Sequence, residues 1–140
     1  MLAQTFKGFK NQMASEFKCL EAGLTFEQYV ILHLLNSNAV IIQQDLANHM
    51  QKDKSIIVRQ INGLIEKKYV VRLTNKEDKR KNNLILTDAG IEILRQSKKI
   101  ALEVNQKLLS GINEKELEVF RNVLNKIQEN AGFEEELFNC

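Results

Sequence analysis

Leu2, Phe6, Phe9, Met13, Phe17 and Leu20 recur at steps of three and four residues, which draws one apolar stripe along a first helix. Gly23 is expected to end it. Thr25 and Gln28 are spaced as a capping box and so start a second helix through Tyr29, Leu32 and Leu35, with Asn36, Ser37 and Asn38 as its exit. The short β-branched run Val40 to Ile42 predicts a minimal strand before a third helix over Gln43 to Met50. Asp53 suits the N-cap of a fourth helix whose buried side is drawn by Ile57, Ile61, Leu64 and Ile65. After Lys68 the texture changes: YVVRLT and LILT flank the polar segment NKEDKRKN, which predicts two strands joined by a charged tip. Thr87 and Asp88 start a long helix marked by Ile91, Leu94, Ala101, Leu108 and Ile112 at near-heptad spacing. Asn113 with Glu116 caps a last helix, in which Leu117, Phe120, Leu124, Ile127 and Ala131 repeat three and four residues apart.

The 140 residues have the length of one ordinary domain, and no repeat, linker or low-complexity tract divides them. Proline is absent, so nothing in the chain forces a helix to break. The longest apolar stretch, Tyr29 to Leu35, contains His33 and is too short to cross a bilayer. The N-terminus MLAQTFKGFKNQ lacks the layout of a secretory signal, which makes a cytoplasmic location the expectation. The two cysteines, Cys19 and Cys140, do not make a disulfide framework and agree with a reducing compartment.

The net charge of +2 hides an uneven distribution. Residues 1–51 hold 3 Lys and Arg against 4 Asp and Glu, residues 52–82 hold 10 against 4, and residues 83–140 hold 7 against 10. A basic centre between slightly acidic ends is the footprint of a short polyanion contact, although a charged run is more often a solvated face.

The predicted order places two short helices directly before a basic hairpin, the layout of a winged helix-turn-helix in a mostly α fold. There the second short helix enters the major groove. A 100° step per residue puts Ser55, Arg59 and Asn62 opposite the buried Ile57 and Ile61, with Ile56 and Val58 on the flanks. Arg59 suits guanine, Asn62 adenine or a phosphate, and the two branched residues thymine methyls. Read without DNA, the same face is an ordinary amphipathic surface. The hairpin tip, Lys76, Lys79, Arg80 and Lys81, is too polar for a core and suits the minor groove, and Asp78 can hold Arg80 extended. In its bland role Asp78 serves the turn.

The strings DLANHM, DKSIIVRQINGLIEKKYVVR and DKRKNNLILTDAG resemble the MarR family of bacterial regulators, most specifically at Asp78, Arg80, Leu86, Thr87 and Gly90. The resemblance implies one MarR-type domain over 1–140. Helices over 1–22 and 112–140 would form the dimer, 25–88 the winged helix-turn-helix and 88–112 a long connecting helix. It further implies a homodimer on a pseudo-palindromic double-stranded DNA operator, with Arg80 in the minor groove and repression relieved by a small phenolic or amphipathic effector or by thiol oxidation. Phosphate contacts are assigned to Gln43, Gln44 and Lys54. Three positions depart from the family pattern. Ile42 stands where a polar cap is usual before the third helix, Lys68 where a glycine follows the recognition helix, and Ile56 and Val58 where small hydroxyl residues are common.

Three apolar helical stripes offer more surface than a small winged helix can cover, and a second copy is the natural cover. Cys19 reads as a small buried hydrophobe before it reads as a sensor thiol. His33 reads as a core or crevice residue. His49 suits a phosphate or a helix C-terminus. The cysteines and histidines lack metal-ligand spacing, and no phosphate loop, nucleophile elbow or carboxylate pair is present, so neither cofactor, metal nor enzymatic activity is expected. The alternative to a DNA-binding regulator is a winged helix module whose basic wing binds an acidic protein partner.

Overall fold

The computed structural model describes residues 1–20, 23–37, 41–50, 52–74 and 82–132. Its elements are α1 (Leu2–Lys18), α2 (Phe26–Ser37), β1 (Ile41–Ile42), α3 (Gln43–His49), α4 (Lys54–Glu66), β2 (Val70–Thr74), β3 (Asn82–Leu86), α5 (Asp88–Leu108) and α6 (Glu114–Asn130). They fall into two compact units, Met1–Asn105 and Gln106–Cys140.

In the first unit, only the later part of the α1 stripe reaches the core. Met13 and Phe17 are buried, whereas Leu2 and Phe6 are exposed. The helix stops at Lys18, before Gly23, because the chain tightens there: Cys19 N–H donates to Glu16 O at 3.0 Å and Leu20 N–H to Phe17 O at 3.2 Å. Gly23 instead serves the connecting turn, with φ 51° and its N–H on Leu20 O at 2.9 Å. The capping box of α2 forms as its spacing predicts: Gln28 N–H donates to Thr25 Oγ1 at 3.1 Å and Thr25 N–H to Gln28 Oε1 at 3.2 Å. Phe17 packs on Tyr29 with ring centroids 4.9 Å apart. Lys10 bridges from α1 to Glu27 on α2. Burial alone would raise the Glu27 pKa, but the Lys10 ammonium that donates to it, aided by a backbone hydrogen bond and the charge of Lys52, holds the carboxyl below its ordinary range.

The three strands form one antiparallel sheet in the order β1-β3-β2. Ile41 pairs with Leu84, so the minimal strand expected around Val40 to Ile42 joins the hairpin, with Val40 itself outside the described residues. Val70 lies opposite Leu86 and Arg72 opposite Leu84, which sets these four on one face. Val70 and Leu84 on that face are buried, while Val71, Leu73 and Ile85 on the other are exposed. Helix α5 buries Gly90, Ile93, Leu94, Ser97, Ala101 and Val104. Of the positions taken to mark its near-heptad seam, Leu94 and Ala101 face the core, whereas Ile91 and Leu108 are exposed and Ile112 lies beyond the helix. The corner at the start of α5 turns Gly90 inward and so puts Ile91 one 100° step off the buried face, whereas Leu108 shares the phase of Gly90 and lies past Asn105, where the first unit ends.

In the second unit, α6 begins with the capping box expected from its sequence. Glu116 N–H donates to Asn113 Oδ1 at 3.0 Å, and Asn113 N–H donates to Glu116 Oε2 at 2.8 Å. None of its residues is buried.

Candidate nucleic-acid interface

Helix α4 is seated by Ile57, Ile61 and Leu64, each fully buried. At 100° per residue this seat leaves Ser55, Arg59 and Asn62 exposed, as their positions predict, and Lys54 is exposed as the first residue of the helix. Ile56 and Val58 are half-buried, not exposed. The buried stripe is wide enough to take part of both flanks, so these residues offer the edges of their side chains and keep the rest against the protein. Asp53 occupies the N-cap, where its carbonyl accepts from the N–H groups of Ile56 at 2.9 Å and Ile57 at 3.2 Å. Its carboxylate, expected to cap, makes no capping hydrogen bond.

Several contacts fix the pose of this helix. Gly63 lets α4 approach α2 closely, since a Cβ there would lie 2.9 Å from Nε2 of the buried Gln28. Thr25 Oγ1 donates to Gln60 Oε1 at 3.1 Å, and Lys67 Nζ donates to Gly23 O at 3.0 Å. The helix closes in a Schellman arrangement: Lys68 N–H reaches Ile65 O and Tyr69 N–H reaches Leu64 O, both at 2.9 Å. Lys68 takes φ 61°, the left-handed backbone implied by the missing glycine.

The next corner is clasped to this exit. Thr87 Oγ1 donates to Lys68 O at 2.7 Å and accepts from Gly90 N–H at 3.0 Å, while Thr87 N–H donates to Tyr69 O at 3.1 Å. Thr87 thus caps α5 and ties its start to the end of α4. A Cβ on Gly90 would sit 2.0 Å from Tyr69 O, so only glycine fits. Sequence reasoning marked Thr87 and Gly90 as motif positions without this reason.

Arg72 was missed. From the middle of β2 its Nη2 donates to Asn62 Oδ1 on α4 at 3.1 Å. Its signal was present in the pattern YVVRLT, where two-residue alternation sets Arg72 on the same face as the buried Val70. Lys52, Lys54, Arg59, Lys67, Lys68 and Arg72 are all exposed, so the described part of the basic segment presents its charge to solvent. The tip residues Lys76, Asp78, Lys79, Arg80 and Lys81 lie outside the described residues, as do Cys140 and the side chains of Gln43, Gln44 and His49.

Away from this face, His33 is half-buried and its ring stacks on Tyr29 with centroids 6.3 Å apart. Burial and the charge of Lys98 push its pKa below the ordinary histidine value. Cys19 is exposed, with Sγ 3.8 Å from Ser15 O, which corrects its reading as a buried hydrophobe: it caps α1 where the apolar stripe has already turned away. Among the described residues, no group of three or more His, Cys, Asp and Glu is placed to hold a metal, and no helix is long and apolar enough to cross a membrane.

The family model described as MarR family matches residues 24–81, from the cap of α2 through α4 to the charged tip. Residues 24–81 are a MarR-family segment. A transcriptional regulatory protein assigned to the hcr operon of Thauera aromatica is 30% identical to this chain over 94 residues, which are 67% of the chain and 57% of that protein. The chain therefore spans less than two thirds of that relative. The uncharacterized HTH-type transcriptional regulator YybA of Bacillus subtilis is 26% identical over 130 residues, 93% of the chain and 83% of YybA. Among solved structures, a mutant MarR from E. coli complexed with operator DNA superposes with a TM-score of 0.80 at 22% identity, covering 90% of this chain and 89% of that one. At that identity the likeness establishes the winged helix fold.

Proposed function

We propose that this chain is a cytoplasmic transcriptional repressor of the MarR family and not an enzyme, binding a pseudo-palindromic operator as a homodimer. Helix α4 enters the major groove and the hairpin tip the neighbouring minor groove. The observation that carries this reading is the face of α4, where Ser55, Arg59 and Asn62 are exposed directly above a fully buried seat. A polar reading edge on a rigidly held helix is what base recognition needs. The operator-bound MarR of the same fold supports this placement, and the names of the two relatives support a regulatory role. Lys54, Gln43 and Gln44 are assigned to phosphates, and Lys76, Lys79, Arg80 and Lys81 to the wing contact, with Asp78 holding Arg80. The family resemblance supports relief of repression by a small phenolic or amphipathic effector. Such a ligand acts by binding the DNA-incompetent form more tightly.

Selection of bound sequences from random duplexes, followed by binding titrations at several salt concentrations, tests the reading. The selected pool is expected to hold an inverted repeat with half-sites about 34 Å apart. Arg59→Ala is expected to lose about tenfold in affinity and relax one position, whereas Arg80→Ala weakens all sequences and lowers the salt slope by about 1. Unchanged affinity in both variants would remove the assignment.

A further inference from the structure

We propose that Arg72 is a specificity-determining residue, which holds Asn62 so that it meets the DNA as a hydrogen-bond donor. The inference rests on the groove-reading role of α4 and adds the kind of base edge that one position reads. An asparagine amide carries an acceptor and a donor, and in isolation it can present either. A guanidinium has only donors, so the 3.1 Å contact from Arg72 Nη2 fixes Asn62 Oδ1 toward β2 and leaves Nδ2 turned away from the sheet. Pairing with adenine in the bidentate mode requires the amide oxygen and nitrogen side by side against the base, one accepting from N6 and one donating to N7. With its oxygen held back, Asn62 donates instead to O6 of guanine or O4 of thymine, where adenine carries the N6 donor, since N7 is common to both purines and does not tell them apart.

The arrangement is built in before DNA arrives. Only three residues, Lys67 to Tyr69, separate α4 from β2, and their backbone is pinned by the Schellman bonds and by Thr87. Arg72 lies opposite the buried Leu84 in the sheet, so its strand position is set by the core. Both Asn62 and Arg72 are exposed, and in the free chain water competes for the bond. On a duplex the same bond is shielded and strengthens, and the remaining guanidinium donors stay available to a phosphate.

The test is selection from random duplexes by the full chain and by Asn62→Ala, Arg72→Ala and Arg72→Lys, with melting temperatures measured alongside. The wild type is expected to favour guanine or thymine over adenine about tenfold at one position of each half-site. Asn62→Ala loses that preference. Arg72→Ala keeps a preference at the same position but admits adenine to within about twofold, because the amide is free to turn, and Arg72→Lys, which still only donates, retains the wild-type order. Melting temperatures stay close to wild type. An unchanged profile in Arg72→Ala with uniformly weaker binding would make Arg72 a plain phosphate contact and overturn the proposal. Adenine favoured by the wild type at that position overturns it too, as does a large fall in melting temperature that accompanies loss at every position. If the wild type selects an inverted repeat, the operator reading stands whatever Arg72 does. If it selects nothing, both fall.

Discussion

Lys68 holds a left-handed backbone where α4 ends, at φ 61°. For an L-residue this conformation brings Cβ close to the following carbonyl and costs about 1–2 kcal/mol, which glycine avoids at the expense of a more flexible unfolded chain. The two effects oppose, and the strain is the larger. Lys68→Gly is therefore expected to stabilise the protein by about 1 kcal/mol, raising the melting temperature by about 3 °C. Circular dichroism melts would show it, and an equal or lower midpoint would mean that the backbone is not strained. Lysine at this site keeps a positive charge in the exposed basic segment, so the same substitution is a direct measure of how much stability is given up for that charge.

At the scale of elements, the most demanding junction is where α4, β3 and α5 meet. The place for a Cβ on Gly90 lies 2.0 Å from Tyr69 O and 3.3 Å from Leu86 Cδ2, and the first of these is backbone that already accepts from Thr87 N–H. Gly90→Ala must push the start of α5 off the exit of α4, which is expected to cost at least about 3 kcal/mol in urea titration. Gly8→Ala, in the middle of α1 with nothing within 4 Å of its Cβ, should instead gain up to about 1 kcal/mol. Equal effects at the two sites would contradict the packing described for the corner. What was legible in the sequence follows the same division between local and distant causes. The capping boxes of Thr25 with Gln28 and Asn113 with Glu116 were readable because each closes within one turn. So were the exposed Ser55, Arg59 and Asn62, which follow from helical phase alone. The half-burial of Ile56 and Val58 was not, because it depends on how widely neighbouring elements wrap α4. Nor was the Arg72 contact with Asn62, which needs the register between a strand and a helix. Nor was the exposure of Cys19, because the general tendency of cysteine to be buried takes no account of the turn that the chain makes at that position.

For the whole molecule, the deciding feature is α6. Val119, Phe120, Val123 and Ile127 line one side of it and are between 46% and 63% exposed, while no residue of the helix is buried. A single helix of 17 residues is marginal in water on its own, and a stripe of this kind gains its stability by being covered. In the proposed homodimer a second copy of the chain is that cover, and its twofold axis would repeat α4 once per half-site of a palindromic operator. Replacing Phe120 and Val123 together with glutamate puts two charges into that seam. The variant is expected to sediment as one chain where the wild type sediments as two, with α2, α4 and the sheet still folded by circular dichroism. Since the second half-site contact is then no longer intramolecular, operator affinity should fall by about 100-fold or more. A variant that remains dimeric would place the seam elsewhere, and a monomer that still binds the operator at wild-type strength would show that pairing of two chains contributes nothing to recognition.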